Sequence, residues 1–404
     1  MESLAKLKPD FYKEFKDKNS GLSAFVVIDR CVNGFATGGI RMAGEVTLEE
    51  IANLAHEMTM KFAFLNIKKD GAKAGIVAHP KMDREKKKEL CLAFGREIRG
   101  LIKEGKYSPG EDLGINSEDL SNIFLGAGIN YLASKEIDSG YFTALTVFLT
   151  AEELLKHKGA MLKGLSVTIE GFGKVGEKAA KLFSNAGSKI IGISTLSGGL
   201  FDPNGLDIQR LCSLKKEYGD SLVNFYPKGE RGATKDLILQ KTDLLIPGAR
   251  ADCINLENIN QIKARIIIPI SNIAATEAVE HQLFEKGITY IPGFVSNCGG
   301  ILSYFLNEGG FDKGEVEKMI RKGFSFKIKK ILKETNRQKA FSEVARRLIA
   351  ANLGNMSREN KLPRVKKAGA RRLGWFAHRK LKGTPIGFIF RPFARQYLRT
   401  KIFS

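Results

Sequence analysis

The sequence predicts an α/β protein with two domains and a basic C-terminal extension, and three observations lead to this prediction. The chain has 404 residues, of which 43% are hydrophobic, and this is enough for two separate cores. From residue 165 onward, short β-branched segments alternate with helical patterns, which is typical of a parallel sheet with crossover helices. Residues 363–404 contain twelve Lys or Arg and no Asp or Glu.

The N-terminal segment, residues 1–140, is predicted to form a mixed α/β domain. Residues 23–28 predict a strand. Thr47 is a predicted helix N-cap, and Glu50 three residues later is expected to complete a capping box. The apolar residues that follow recur at a spacing of 3.6 residues, and residues 83–103 predict another helix. Shorter segments with recurring glycine then predict a loop region.

A second domain is predicted over residues 141–334, and it begins with a helix at about 143–157. Strands are predicted at 165–170 and 189–194, around a helix at 174–186. Three more strands are predicted at 244–246, 265–269 and 289–291. Long helical patterns cover 299–306, 314–334 and 338–352. We expect the helices at about 335–362 to return to the first domain.

Cysteine spacing and hydropathy exclude several classes of protein. The five cysteines are at least 41 residues apart, which fits neither a disulfide framework nor a zinc ribbon, so no metal site is predicted. No apolar run approaches the ~20 residues that span a bilayer. The first twenty residues show no signal-peptide pattern. These features predict a soluble protein of a reducing compartment, the cytoplasm.

The net charge of +21 is concentrated near the C-terminus. The tail, residues 363–404, carries +12, which leaves +9 for the remaining 362 residues. Aromatic residues alternate with its cations, and several Gly and Pro residues exclude one long helix. Either the tail is a flexible, solvated extension, or it makes weak contact with an anionic surface. Neither alternative implies specific recognition of a nucleic acid.

The sharpest local motif is Gly171-Phe172-Gly173-Lys174-Val175-Gly176, which follows a predicted strand and opens a predicted helix. Its first Gly allows a tight turn, the second lets the backbone approach a pyrophosphate, and the third permits close packing of helix and strand. The N–H groups of Lys174, Val175 and the helix start would face the phosphates. A glycine-rich turn without a ligand is the alternative. The motif predicts a Rossmann-like dinucleotide-binding domain.

The position that usually contacts the adenosine ribose lacks an acidic side chain. In NAD-binding domains an Asp or Glu about 20 residues after the motif binds the ribose 2′-hydroxyl. Thr195 occupies this place at the end of the second strand. A small hydroxyl would tolerate a 2′-phosphate, but no Arg stands nearby in the sequence to bind one. Both NAD and NADP are therefore candidate cofactors.

Three further segments are rich in the residue types that catalysis needs: Gly38-Gly39-Ile40-Arg41, Gly71-Ala72-Lys73-Ala74-Gly75 and Pro109-Gly110-Glu111-Asp112. In this order they resemble the glutamate/leucine/phenylalanine/valine dehydrogenases, and the resemblance covers about residues 20–360. Further matches follow in the family's order: Thr143-Ala144, Gly198-Gly199, Pro247-Gly248-Ala249, Asn272 with Thr276, Ile291-Pro292 and Asn297-Cys298-Gly299-Gly300.

The resemblance implies that a homo-oligomer converts an amino acid to a 2-oxo acid and ammonium with NAD or NADP, in a cleft between the domains. Lys61 would bind the α-carboxylate, Lys73 would be the base that activates water, and Asp112 would carry protons to and from the nitrogen. An amine acts as a base only where burial and cationic neighbours favour its neutral form. The residues expected to help hold the nicotinamide are Thr143, Asn272 and Asn297, and Ala249 is also expected to bind the cofactor.

The resemblance also bears on the substrate. Glutamate-specific members carry a Lys immediately before the Gly-Gly-x-Arg motif, and Thr37 stands there in this chain. We therefore expect an apolar, aromatic or small polar L-amino acid rather than glutamate. The other residues expected to line the substrate are Gly39 and Tyr304, or Ser303 if the alignment shifts by one position.

One departure from the family pattern suggests a second hypothesis. Asp70 replaces a glycine shortly before Lys73, and a carboxylate there would oppose the function of Lys73 as a base. Thr195, in the place of the usual acidic residue, points the same way. The alternative function is therefore a catalytically weakened homologue that binds a dinucleotide and acts as a sensor or scaffold.

Overall fold

The computed structural model describes residues 8–131, 137–249, 251–336 and 338–361, together with Ile402. The described chain divides into two compact units. The first contains the residues up to 131 and those from 349 to 361, and the second contains residues 137–348 and Ile402. No helix within these described stretches is long and apolar enough to cross a membrane.

The first unit is built on a five-stranded mixed sheet. Its strands are β1 (Phe11–Asp17), β2 (Leu22–Ile28), β3 (Ala36–Ala43), β4 (Asp70–Val77) and β5 (Tyr107–Glu111). The strand order is β1-β2-β4-β3-β5, with β2 antiparallel to β1 and β4, and β3 parallel to β4 and β5. Because β2 and β4 are inner strands, almost all of their residues are buried, which explains their unbroken runs of apolar and small residues.

The helices of the first unit are α1 (Leu48–Phe64), α2 (Arg84–Glu97), α3 (Arg99–Lys103) and α4 (Ser117–Gly126). Thr47 caps α1 as predicted, since its Oγ1 accepts a hydrogen bond from the Glu50 N–H at 3.1 Å. The second half of the predicted capping box is wrong, because the Glu50 carboxylate accepts from Arg41 instead.

Two other sequence predictions for the first unit are corrected. The single helix predicted over 83–103 is interrupted at Ile98, which ends α2 and begins α3. The region predicted as a loop contains β5 and α4. The start of α4 is fixed by a capping box, in which the Asn116 and Asp119 side chains each accept the other's backbone N–H.

The second unit contains a seven-stranded sheet of the predicted Rossmann-like type. Its strands are β6 (Ser166–Ile169), β7 (Lys189–Thr195), β8 (Gly198–Phe201), β9 (Glu230–Gly232), β10 (Leu244–Ile246), β11 (Ile266–Ile267) and β12 (Thr289–Tyr290). The order is β12-β11-β10-β6-β7-β8-β9. The first five of these strands run parallel, and β8 and β9 extend the edge in antiparallel pairing. The predicted parallel sheet is confirmed.

The helices of the second unit are α5 (Ser139–His157), α6 (Gly176–Asn185), α7 (Ile208–Tyr218), α8 (Leu222–Phe225), α9 (Glu277–Glu285), α10 (Gly293–Ser296), α11 (Gly299–Glu308), α12 (Lys313–Met319) and α13 (Ser325–Glu334). A π-helical segment, Ile320–Phe324, joins α12 to α13, so the helix predicted over 314–334 is continuous but locally widened. A last helix, α14 (Phe341–Lys361), begins in the second unit and ends in the first, where Asn352 donates to the Ala63 carbonyl at 2.8 Å.

The predicted basic tail, residues 363–404, lies outside the described residues except at Ile402. Ile402 is 2% exposed, and its carbonyl accepts a hydrogen bond from Lys327 Nζ at 3.0 Å.

Candidate active site

Lys73 and Asp112 form an ion pair in the first unit. Lys73 lies in the middle strand β4, and Asp112 follows the last residue of β5. Lys73 Nζ donates to Asp112 Oδ2 at 2.7 Å, and the Lys73 side chain is 7% exposed against 20% for that of Asp112. The two side chains that the sequence predicts to be catalytic are therefore in direct contact.

Glycines let the chain segments of this site approach one another closely. A Cβ on Gly39 would lie 2.4 Å from the Glu111 carbonyl oxygen and 2.9 Å from the Asp112 Cβ. A Cβ on Gly71 would lie 2.3 Å from the Thr59 backbone nitrogen, in the C-terminal half of α1. A larger residue at Gly39 would displace Asp112, and one at Gly71 would displace α1. Glycine is therefore needed at both positions for this close packing.

Arg41 is the second cation beside Asp112. It lies in β3, and its Nε is 3.4 Å from Asp112 Oδ2. Burial raises the pKa of the Asp112 carboxyl, but the charges of Lys73 and Arg41, with hydrogen bonds from Lys73 and the Leu113 N–H, outweigh this effect. The pKa of Asp112 is therefore held well below its ordinary value, and the group is ionised at neutral pH.

Asp70 does not act on Lys73 as the sequence predicts. Its carboxylate accepts hydrogen bonds from the backbone N–H groups of residues 32–34 and from the Asn33 side chain, at 2.8–3.2 Å. Asp70 and Lys73 are three residues apart on one strand, so their side chains point to opposite faces of the sheet. Asp70 is a structural acceptor for a loop, and the expected conflict with Lys73 is wrong.

The other residues predicted to contact the substrate occupy both units. Lys61 is buried in the last turn of α1, the helix that packs against β4 at Gly71. Thr37 is buried in β3, where it pairs with Gly71 of β4. Tyr304 is half-buried on α11 in the second unit, beside the fully buried Ser303.

The glycine-rich turn in the second unit has the geometry that pyrophosphate binding needs. Gly171 has a φ of +86°, which favours glycine, and it makes the turn after β6. A Cβ on Gly173 would meet nothing within 4 Å, so a ligand has room to approach this backbone. A Cβ on Gly176 would lie 1.9 Å from the Gly171 carbonyl oxygen. The exposed Lys174 and the half-buried Val175 precede α6, whose start has no side-chain cap.

A second group of predicted cofactor residues meets around Asn297. Asn297 Nδ2 donates to the carbonyls of Ile270 and Ser271, at 3.1 and 2.9 Å, immediately before Asn272. A Cβ on Gly300 would lie 2.8 Å from Thr143 Oγ1, so this turn packs against α5. Asn297 Oδ1 is buried and has no hydrogen-bond partner among the described atoms. An unpaired buried acceptor is suited to a carboxamide N–H, the group that a nicotinamide carries.

Ala249, also predicted to bind the cofactor, follows β10 close to the glycine-rich turn. Its backbone nitrogen would lie 3.3 Å from a Cβ on Gly171, and its N–H donates to Glu170 Oε2 at 3.3 Å. The glycine-rich turn after β6 and the segment after β10 therefore lie together at the carboxyl edge of the sheet, where ligands bind in folds of this type.

Thr195 differs from its prediction in one respect. Its hydroxyl donates to the Asp220 carbonyl at 2.6 Å, so its proton is not available to a ribose. Lys215 on α7 donates to the Phe172 carbonyl within the glycine-rich turn, and its Nζ lies 5.2 Å from the centre of the Phe172 ring. Sequence reasoning missed Lys215, because no motif links it to a turn 43 residues earlier.

Comparison with known families covers most of the chain. Residues 11–126 match the family described as Glu/Leu/Phe/Val dehydrogenase, dimerisation domain, and residues 138–355 match Glutamate/Leucine/Phenylalanine/Valine dehydrogenase. The glutamate dehydrogenase of Thermotoga maritima is 32% identical over 288 residues, which cover 67% of this chain and 69% of the relative. The NAD-specific glutamate dehydrogenase of Staphylococcus aureus is 31% identical over 287 residues, with 67% and 69% covered.

Solved structures share the fold. The hetero-hexameric glutamate dehydrogenase of Thermus thermophilus in its leucine-bound form has a TM-score of 0.77 and 23% identity, with 88% of this chain and 91% of that chain covered. The L-tryptophan dehydrogenase of Nostoc punctiforme has a TM-score of 0.61 and 21% identity, with 88% and 98% covered. At these identities the structures establish similarity of fold alone.

Proposed function

Because the chain belongs to the glutamate/leucine/phenylalanine/valine dehydrogenase family, we propose that it oxidatively deaminates an L-amino acid other than glutamate to a 2-oxo acid. Members of this family are NAD(P)-dependent amino acid dehydrogenases. The observation that carries the proposal is the Lys73–Asp112 ion pair, which pairs a basic side chain with an acidic one in a largely buried position.

The nicotinamide cofactor, when bound, accepts the hydride that leaves the substrate α-carbon. Gly171, Gly173 and Gly176 would hold its pyrophosphate, and the unpaired Asn297 Oδ1 would accept from its carboxamide. Thr195 and Lys215 lie at the opposite, adenosine end of the site. Because no carboxylate takes the place of Thr195, we propose that the protein accepts both NAD and NADP.

The proton transfers are assigned to residues of the first unit. Lys61 pairs with the substrate α-carboxylate. As the C–H bond breaks, the nitrogen lone pair forms a C=N bond, and Asp112 takes the proton that leaves the nitrogen. Lys73, as the neutral amine, then removes a proton from the water that adds to this carbon, and Asp112 returns its proton to the nitrogen. The hydroxyl proton of this adduct passes to the nitrogen as the C–N bond breaks, so that ammonia leaves and the C=O bond forms, and Lys73 releases its proton to solvent. Lys73 and Asp112 are in contact, so a proton can pass between them without crossing solvent.

The choice of substrate rests on Thr37. A buried threonine there offers a hydroxyl but no cation for a side-chain carboxylate. An anionic side chain would be desolvated without a partner at this position, which disfavours glutamate although the named relatives are glutamate dehydrogenases. An apolar, aromatic or small polar side chain has no such cost.

The second candidate function, a catalytically weakened sensor or scaffold, relied on Asp70 and Thr195. The hydrogen bonds of Asp70 to residues 32–34 remove the first of these reasons. For the active enzyme we also propose a homo-oligomer, because residues 11–126 match a family described as a dimerisation domain. Mass measurement by light scattering tests this assembly directly.

Turnover measurements test the proposed reaction. The twenty L-amino acids are assayed with NAD and with NADP, and reduced nicotinamide is followed by absorbance. We expect turnover with at least one non-acidic amino acid and a kcat/KM for glutamate at least about tenfold lower, because a buried unpaired charge is costly. Cofactor binding without turnover on any amino acid would favour the sensor, and a preference for glutamate would refute the assignment of Thr37.

A matched pair of variants distinguishes chemistry from stability. Lys73→Ala should lower kcat by about 100-fold or more, since it removes the general base. Lys87→Ala breaks another largely buried Lys–Asp pair, to Asp119 at 2.6 Å, in the same unit. The control should lose stability but keep its kcat within about threefold. Equal losses of kcat in both variants would show that Lys73 is only structural.

A further inference from the structure

Four side chains of alternating charge form a chain of contacts in the first unit: Glu50, Arg41, Asp112 and Lys73. Glu50 Oε1 accepts from Arg41 Nη1 at 2.5 Å, Arg41 Nε is 3.4 Å from Asp112 Oδ2, and Lys73 Nζ donates to the same oxygen at 2.7 Å. The roles given above to Lys73 and Asp112 do not account for Glu50 or Arg41.

The fold explains why Arg41 faces Asp112. Strands β3 and β5 are parallel neighbours, with Gly39 opposite Gly110 and Ile40 opposite Glu111. Arg41 is the next residue on one strand and Asp112 the next on the other, so both lie at the same level of the sheet. The Asp112 Oδ2 atom thus receives two cations, one from β3 and one from β4.

The contact between Arg41 and Asp112 is not fixed by a hydrogen bond from Nε. Arg41 Nε is buried and has no hydrogen-bond partner among the described atoms, although Asp112 is within ion-pair distance. The directed contact of Arg41 is the one at its other end, to Glu50. Glu50 is free to make it because Thr47, and not Glu50, supplies the side-chain cap of α1.

The charges around Asp112 determine how readily its carboxylate takes up a proton. A carboxylate that must accept and return a proton cannot do so while two nearby cations hold its charge. Glu50 places a negative charge against Arg41 and so weakens the attraction of the guanidinium for Asp112. Among the described residues, Lys73 on β4 is the other charged group in contact with Asp112. The Tyr107 hydroxyl on β5, which donates to the Gly38 carbonyl, is also influenced by the charge of Asp112.

We propose that Glu50 is a positioning residue that acts through Arg41: it holds the guanidinium beside Asp112 and offsets its charge, so that Asp112 can take up a proton during turnover. The inference rests on the proposed function only in the role given to Asp112.

The kinetic test uses Glu50→Gln, Arg41→Gln and the double variant. Glu50→Gln leaves Arg41 uncompensated, so we expect kcat to fall about tenfold with KM unchanged, and the acidic limb of the kcat profile to move to lower pH by about one unit. Arg41→Gln should move that limb to higher pH. The double variant should recover most of the kcat lost in Glu50→Gln, because the uncompensated charge is gone.

The control removes a carboxylate from an exposed pair in the same unit. Glu118 contacts Arg84 at 2.6 Å, and Glu118→Gln should leave kcat, KM and the pH profile unchanged. Thermal unfolding establishes that all variants are folded. An unchanged profile in Glu50→Gln, a shift to higher pH, or additive losses in the double variant would overturn the inference.

A measurement without turnover separates this inference from the proposed function. Protein carrying ¹³C in its Asp carboxyl groups is titrated by NMR, and Asp112→Asn assigns the Asp112 signal. The Asp112 midpoint should rise by about one pH unit or more in Arg41→Gln and should not rise in Glu50→Gln. Absence of turnover on any amino acid with this NMR result would refute the reaction alone, and equal midpoints in the wild type and Arg41→Gln would refute the role of the chain of charges.

Discussion

The buried amine of Lys327 makes a stability prediction that can be worked out from the structure. Lys327 lies on α13 and is 3% exposed. Burial lowers its pKa to about 8 from the ordinary value of 10.5, with a smaller contribution from Cys298 in the opposite direction and one from Lys330 in the same direction. A fall of this size corresponds to about 3 kcal/mol of unfavourable free energy for the charged form in the folded state.

Stability rises with pH because the folded state loses the Lys327 proton at a lower pH than the unfolded state does. Below pH 8 both the folded and the unfolded chain carry the charge, so the whole penalty is present. Between pH 8 and 10.5 the folded state is neutral while the unfolded state is still charged, and stability rises with pH. Above 10.5 the penalty is gone. Lys327→Met, which is apolar and of similar length, should remove this rise.

The assay compares thermal midpoints by circular dichroism between pH 7 and 10. The difference in the free energy of unfolding between Lys327→Met and wild type should shrink by about 2–3 kcal/mol across this pH range, which corresponds to roughly 5–10 °C in thermal midpoint. Lys333→Met, an exposed position on the same helix, is the control, and its difference from wild type should not change with pH. A pH-independent difference for Lys327→Met would show that the amine is better solvated than its burial indicates.

Three further outcomes follow from other contacts. Lys215→Gln should weaken NADPH binding about tenfold or more and NADH binding by less than threefold in fluorescence titrations, because the proposed function places this cation, which contacts the Phe172 carbonyl, at the adenosine end of the cofactor site. Asp70→Asn should destabilise the first unit by about 2 kcal/mol through its loop contacts with kcat unchanged, and a rise in kcat would revive the conflict with Lys73. Deleting residues 401–404 removes Ile402 and with it the acceptor of the Lys327 hydrogen bond, so thermal melts should show a loss of stability. This loss should be larger in the wild type than in Lys327→Met, and equal losses in both would refute the coupling between Lys327 and Ile402.

The sequence predicted those parts of the fold in which periodicity and buried faces agree. β10 matches its predicted bounds, and β6, β7 and α6 differ from theirs by one or two residues. β5 was missed because Pro109 and Gly110 lie inside it, and both residues are unfavourable in strands. It tolerates them because it is an edge strand that pairs mainly with β3. The capping pair of Asn116 and Asp119 was a readable signal for α4.

The side chains that we propose to be catalytic were predicted from the family's order of motifs, whereas their electrostatic partners could not be predicted. Lys73 and Asp112 stand in recognisable motifs, and the structure places them 2.7 Å apart. Glu50 was assigned to a helix cap because its partner Arg41 becomes a neighbour only once α1 packs beside β3. The contact between Arg41 and Glu50 depends on tertiary packing, and the sequence between these two residues contains no signal for it.

Asp70 shows the opposite error, one that strand geometry alone could have prevented. Proximity in sequence suggested that its carboxylate acts on Lys73, but side chains three residues apart on a strand face opposite sides of a sheet. The carboxylate that does reach Lys73 belongs to Asp112, which follows β5, and β5 is separated from β4 by β3. Arg41 on β3 contacts the same Asp112 oxygen. In a site built on a sheet, the residues that contact a titratable side chain must therefore be sought on other strands, on the same face of the sheet, and at even spacings along its own strand.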